Sequence, residues 1–182
     1  MRSQFYLIPA AIVSFAAPAV AQQKMFMTVE EAQQRIFPGL SFTEQSATID
    51  QDQYNKLIDE TGSQPYARKV KAWRSSNGDW LVLDQVIGRN DWITYAVGIA
   101  ADGRIKQIEI IECLADWDGI TNPAWRAIFR GLARKYPLNM VPVISGSTQS
   151  SEQVVAGARR ILSTVALVLE PSYQKAKASA HS

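Results

Sequence analysis

Ile93-Thr94-Tyr95-Ala96-Val97-Gly98-Ile99-Ala100, then Ala101-Asp102-Gly103-Arg104, then the run from Ile105 to Leu114, is the stretch that decides the fold. Two runs rich in β-branched and aromatic residues flank an Asp-Gly pair. That pattern is a strong short-range signal for a β-hairpin. One step upstream the same pattern repeats. Val70-Lys71-Ala72-Trp73 alternates, Ser75-Ser76-Asn77-Gly78-Asp79 turns, and Trp80-Leu81-Val82-Leu83 resumes. Two hairpins in succession predict a largely antiparallel sheet, and a two-stranded ribbon alone is too small to be stable.

Working outward, the flanks read as helices. Thr28-Val29-Glu30-Glu31 is a capping-box start, with Val29, Ala32 and Ile36 on one stripe and Pro38-Gly39 closing the run. Asp50 caps a second helix whose Tyr54, Leu57 and Ile58 face inward, with Gly62 just past its end. Asn122-Pro123 is a cap followed by proline at the first helical position. Trp125, Ile128, Phe129 and Leu132 then fall at helical spacing and predict an amphipathic helix facing the core. After Tyr136-Pro137 comes a short extended piece, Met140 to Ile144. It leads into a helix-like run from Ser150 to Leu169 carrying Val154, Val155, Ala158, Ile161, Leu162 and Val165. From Pro171 the chain is polar, and residues 171–182 are expected to be a disordered tail. The prediction is a single α+β domain: an antiparallel sheet with flanking helices and a C-terminal helix.

The ends and the composition narrow the setting. Arg2 precedes an apolar run from Phe5 to Ala17, followed by Ala19-Val20-Ala21. A positive start, a short apolar centre and a small-residue site are the pattern of a secretory signal peptide, cleaved after Ala21. The run is short of the roughly 20 apolar residues of a spanning helix. A periplasmic or otherwise exported mature protein is expected, reaching a membrane only through a partner. Cys113 is the only cysteine, so no intramolecular disulfide can form, and its apolar surroundings suit a core residue. The only histidine, His181, lies in the polar tail, which disfavours His-based metal sites and catalytic triads. A net charge of +2, with no long basic block, disfavours nucleic-acid binding.

Ser145-Gly146-Ser147-Thr148, directly before the last helix, is the strongest candidate for chemistry. Small residues allow close approach of a ligand, a helix start offers free N–H groups and a positive dipole end, and Thr148 adds a hydroxyl. Two readings stand side by side. One is a phosphate seat. The other is ordinary capping, in which Ser150 and Gln153 form a capping box.

The order of parts resembles the FMN-binding domain family, which includes the exported flavin subunits of the sodium-pumping NADH:quinone reductase and of Rnf electron-transport complexes. The resemblance rests on Tyr95-Ala96-Val97-Gly98-Ile99, Asp102-Gly103, Ile108 to Glu112, Asn122 to Phe129, and Ser145-Gly146-Ser147-Thr148-Gln149-Ser150-Ser151. The last segment stands where such proteins carry a Ser-Gly-Ala-Thr-x-Ser/Thr signature. The resemblance covers roughly residues 93–168, with a looser likeness to small stand-alone members back to about Thr28; it implies an FMN-binding domain over residues 93–170, preceded by N-terminal helices and a first hairpin over residues 22–92. It implies FMN as cofactor, bound around Ser145, Gly146, Ser147, Thr148 and Ser150. It further implies a phosphodiester from Thr148 to FMN, made by a flavin transferase that uses FAD. Two positions depart from the signature: Pro142 stands where the family usually has Asp, and Ser147 replaces Ala.

Other residues carry weaker signals. Trp117, on the loop Asp116-Trp117-Asp118-Gly119, could stack on a flavin ring, or fold back on the core. Glu109 and Glu112 are expected on opposite faces of their strand. Either could face the flavin, Glu112 being the one taken as a cofactor-binding candidate, and the plainer reading for both is a solvated face. Arg126, Arg130 and Arg134 recur every four residues, as a solvated stripe, a docking face for an acidic redox partner, or a clamp on the FMN phosphate. Asp116 and Asp118 lack the further oxygens of a calcium loop. The function implied is an exported electron carrier working with a membrane or exported redox partner, more a shuttle than a turnover enzyme. The alternative, suggested by Pro142, is a flavin-free accessory module that keeps the fold.

Overall fold

The structure is a computed structural model describing residues 24–89, 91–113 and 119–179. In chain order its elements are β1 (Lys24–Met25), α1 (Val29–Ile36), β2 (Phe42–Glu44), β3 (Ala47–Thr48), α2 (Gln51–Thr61), β4 (Lys69–Ser75) and β5 (Trp80–Ile87). There follow β6 (Trp92–Ile99), β7 (Ile105–Cys113), α3 (Pro123–Ala127), α4 (Thr148–Thr164) and α5 (Glu170–Ser179). The strands form an antiparallel sheet in the order β1-β7-β6-β5-β4-β2, with β3 also paired to β4. The two hairpins read from the sequence are its centre, and the fold is α+β. The expected signal peptide, residue 90, residues 114–118 and His181 lie outside the described residues. Among the described residues, no helix is long and apolar enough to cross a membrane.

Both sheet faces are covered. Leu57 of α2 and Val154, Ala158 and Ile161 of α4 pack against Val82, Tyr95, Val97 and Ile108. On the other face Ala32 and Ile36 of α1 pack with Phe37 against Leu81, Ala96 and Ile111. Cys113 is buried in the larger core. Local signals account for the helix starts. Thr28 and Asp50 each make a full capping box, and the Asn122 side chain accepts from the Ala124 N–H ahead of which Pro123 needs no partner.

Several expectations are corrected. The third helix stops at Ala127, and Ile128 is 42% exposed. The chain turns at Gly131, whose φ of 79° favours glycine. The Gly131 N–H donates to the Ile105 carbonyl, and the Ile105 N–H donates to the Leu132 carbonyl. Pairing with the start of β7 therefore replaces continued helix, while Trp125, Phe129 and Leu132 stay buried. The expected extended piece, Met140 to Ile144, follows a 3-10 turn at Leu138–Met140; Val141 is extended, but the piece joins no strand of the sheet.

The chain past Pro171 is also helical as far as Ser179. A π-turn over Val165–Leu169 joins α4 to α5 and places Pro171 in a new first turn. Proline cannot donate, so a carbonyl behind it loses its partner. The Leu167 carbonyl accepts from Gln53 Nε2 at 3.4 Å instead. Glu170 accepts from Trp80 Nε1 at 2.7 Å and pairs with Arg74, and Tyr173 meets Trp80 edge-on. These contacts dock the segment that composition marks as disordered.

Candidate functional site

The Ser-Gly-Ser-Thr segment is a tight turn. The Ser147 N–H donates to the Ile144 carbonyl at 3.0 Å, and Gly146 has a φ of 85°, which an L side chain rarely adopts. A Cβ on Gly146 would meet nothing within 4 Å, so the turn is open outward. Helix α4 starts at Thr148, two residues before the expected capping box. Ser147 holds the cap position and makes no side-chain capping bond, so the first N–H groups receive no cap from it. Ser150 instead lies buried inside the first turn, where its Oγ accepts from the Arg89 N–H at 3.3 Å.

Three neighbouring segments hold the turn. Ser151 Oγ accepts from the Ile144 N–H and donates to the carbonyls of Ser147 and Thr148, stapling both limbs. Gln149 Nε2 donates to the Gly88 carbonyl, which brings the β5–β6 turn against the helix start. A Cβ on Gly119 would lie 2.8 Å from Ile144 Cγ2, so the end of the loop after β7 closes directly on the residue before Ser145. Trp125 Nε1 donates to the Pro142 carbonyl at 2.8 Å, so the departure from the signature serves here as a fixed acceptor. Thr148 itself is exposed. Its hydroxyl has only a 3.4 Å contact to the Ile144 carbonyl, at the outer limit of a hydrogen bond.

The structure thus brings Ser145, Gly146, Ser147, Thr148 and Ser150 together and places Glu112 elsewhere. Glu112 lines a cleft of about 280 Å³ with Tyr66, Lys69, Gln85, Thr94 and Arg160, where β4 parts from β5 beyond Lys71 and Leu83. Arg160 lies twelve residues after Thr148, about 18 Å along α4. Trp117 falls outside the described residues.

The acidic and basic candidates also change their meaning. Glu109 pairs with Ala96 and Glu112 with Thr94, two residues apart on β6. The two carboxylates therefore share a face, because an irregularity at Ile111 resets the alternation. Glu109 is only 1% exposed and pairs with Arg126, with Arg35 at 3.7 Å, so it is a buried ion-pair member and not a solvated group. The basic stripe dissolves: Arg126 is buried on Glu109, Arg130 reaches Gln107, and Arg134 reaches Glu60.

Sequence reading missed the buried cluster behind the helix. Tyr95 Oη donates to Asp84 Oδ2 at 2.9 Å, and Arg160 pairs with the same carboxylate. Burial, reinforced by Asp84, raises the Tyr95 phenol well above its usual range. The signal for this cluster is weak in one dimension, since Asp84 and Arg160 are separated by 76 positions.

An open, glycine-containing turn at an uncapped helix start, with an exposed hydroxyl in its first turn, offers the donors and the room that a phosphate group needs. The comparisons agree with that reading. Residues 88–163, from Gly88 to the end of α4, match the sequence model of the FMN-binding domain. FMN is the cofactor such a domain implies. No curated protein and no solved structure matches the chain. The residues present fit the group: uncapped N–H donors, an open φ-positive glycine and a free-standing hydroxyl are what a phosphate monoester needs.

Proposed function

We propose that this protein is an exported flavoprotein that carries electrons, with FMN attached through a phosphodiester to Thr148. The observation that carries the reading is the exposed Thr148 hydroxyl at the uncapped start of α4, inside the segment that matches the FMN-binding domain. Bound FMN supplies reversible electron or hydride transfer. The chain supplies the rest. The first-turn N–H groups and the dipole of α4 hold the phosphate charge. Gly146 leaves room for the phosphate, and Ser151 keeps both limbs of the turn in place. Attachment by a flavin transferase joins Thr148 Oγ1 to phosphorus as the P–O–P bond of FAD breaks, releasing AMP and the hydroxyl proton. A covalent link suits an exported carrier, since a freely exchanging flavin would be lost by dilution. Its electrons come from a membrane or exported redox partner.

The deciding experiment is intact mass and visible absorbance of protein recovered from the exported fraction of cells that also make a flavin transferase. The expected result is a flavin spectrum and the mass of one FMN less one water, mapped to the peptide holding Thr148. Thr148→Ala should lose that mass. It should cost little stability, because Thr148 is not the cap and makes only one marginal contact. Flavin released on denaturation, with unmodified mass, would overturn the covalent link. Protein without flavin in any form would favour the accessory module that Pro142 suggests.

A further inference from the structure

We infer that the β5–β6 end of the sheet is a docking surface for an anionic lipid bilayer. This goes beyond membrane contact made through a partner alone, and it stands on the surface itself, not on the flavin. Among the described residues, eight large apolar side chains are strongly exposed, and four of them, Met25, Tyr66, Ile87 and Trp92, lie at this end, each between 40% and 64% exposed.

Strand register makes this group continuous. Ile87 pairs with Trp92, and Trp92 meets Tyr66 edge-on with ring centroids 5.0 Å apart. Two residues along β6, Thr94 pairs with Glu112, which pairs with Met25. Partners across a ladder share a face, so this strip is one side of the sheet. It is the side that α1 covers only at its other end, over Leu81, Ala96 and Ile111.

The chemistry around the strip points to lipid. Lys69 and Lys71 are exposed on the same face, since Lys71 pairs with Leu83, two residues from Gln85 and four from Ile87 on β5. Lys24 stands beside Met25, and Arg89 lies in the turn after Ile87, both exposed. Among the described residues, the acidic groups near this end are Asp91, Glu112, Asp50 beside Arg68, and Asp84, which is neutralised by Arg160. Trp and Tyr are the side chains that settle at a membrane interface, and exposed Lys and Arg add attraction to anionic headgroups. A basic surface disfavours a second copy of itself.

The test is co-sedimentation with vesicles of equal parts phosphatidylglycerol and phosphatidylcholine. It uses the chain from Gln22 onward, which keeps every described residue and removes the apolar run Phe5 to Ala17, which would bind lipid by itself. Sheet, helices and both cores lie within residues 24–179. Binding is expected, weaker on pure phosphatidylcholine and at high salt. The double variant Ile87→Ser with Trp92→Ser should bind about tenfold more weakly, since binding scales with buried apolar area. Lys69→Glu with Lys71→Glu should remove the preference for phosphatidylglycerol. Ile128→Ser, exposed outside the strip, should bind as the parent does. Thermal unfolding of each variant confirms the fold. No binding by the parent, or undiminished binding by a folded Ile87/Trp92 variant, overturns the inference. So does self-association that this double variant abolishes, which would assign the strip to a second copy.

Discussion

At Gly157 helix α4 comes so close to β6 that a Cβ would overlap the Tyr95 Oη. Tyr95 cannot swing aside, because it is fully buried and its hydroxyl is committed to Asp84, which also pairs with Arg160. Gly157→Ala should therefore destabilise the fold by about 1–3 kcal/mol, the usual cost of overpacking, despite alanine being the better helix former. In a Tyr95→Phe background, where the overlapping oxygen is gone, the same change should cost clearly less. Urea unfolding of the four proteins of this double-mutant cycle checks it, and equal costs in both backgrounds would refute the steric argument. At this scale the sequence is legible only in part. The strand that carries Tyr95 is readable from its β-branched and aromatic run, but both faces of β6 are buried, so alternation alone does not say what its hydroxyl meets. The Asp84–Arg160 pair that receives its hydroxyl is invisible, because nothing local links two charges so far apart in the chain. Glu109 reads as solvent-facing for the same reason, since its partner Arg126 reaches it from another element.

Among the elements, Gln53 shows how one side chain can tie two helices. Its Oε1 accepts from the Asp50 N–H to complete the capping box of α2, while its Nε2 donates to the Leu167 carbonyl beside the π-turn. Gln53→Ala removes both bonds and should cost about 1–2 kcal/mol, the sum of a weakened cap and a half-buried carbonyl left short of a partner. Gln53→Glu keeps an acceptor for Asp50 but sets a carboxylate against a carbonyl. It should retain helix α2 and still lower the unfolding midpoint. A Gln53→Glu protein as stable as the parent would show the Leu167 contact to be without weight. Element starts were the most legible feature, because Thr28, Asp50 and Asn122 act within three residues of themselves. Element ends were less so. The third helix stops because Gly131 and Leu132 pair with Ile105, and the last continues because Arg74 and Trp80 capture Glu170. Both outcomes depend on residues remote in sequence. The turn at Ser145 was legible as a candidate site from its small residues and hydroxyl. The cap lies at Ser147, three residues before the expected Ser150, which is instead buried in the first turn and held by the Arg89 N–H.

Over the whole molecule, arginine–carboxylate pairs fasten three helices to the sheet and a fourth to the chain after α3. Arg134–Glu60 ties α2 to the chain after α3, Arg74–Glu170 ties α5 to β4, Arg160–Asp84 ties α4 to β5, and Arg126–Glu109 ties α3 to β7. Two of these carboxylates have lowered pKa values. For Glu60 the hydrogen bond from Arg134 dominates and brings it below its usual 4.5. For Glu170 burial works in the opposite direction and is outweighed by the bonds from Trp80 and Arg74. A carboxylate whose folded pKa is depressed binds its proton less readily folded than unfolded. Its contribution to stability is thus fully present above the unfolded value and lost as pH falls through the folded one. The thermal midpoint should hold level from about pH 7 to pH 5 and fall below about pH 4.5. Glu60→Gln cannot titrate, so it should start lower at neutral pH and fall less steeply. Its difference from the parent should shrink toward zero as acid protonates Glu60 in the parent. Thermal unfolding of both proteins between pH 7 and pH 3 decides it: a constant gap across that range would mean that the Arg134 pair adds nothing that depends on the charge of Glu60.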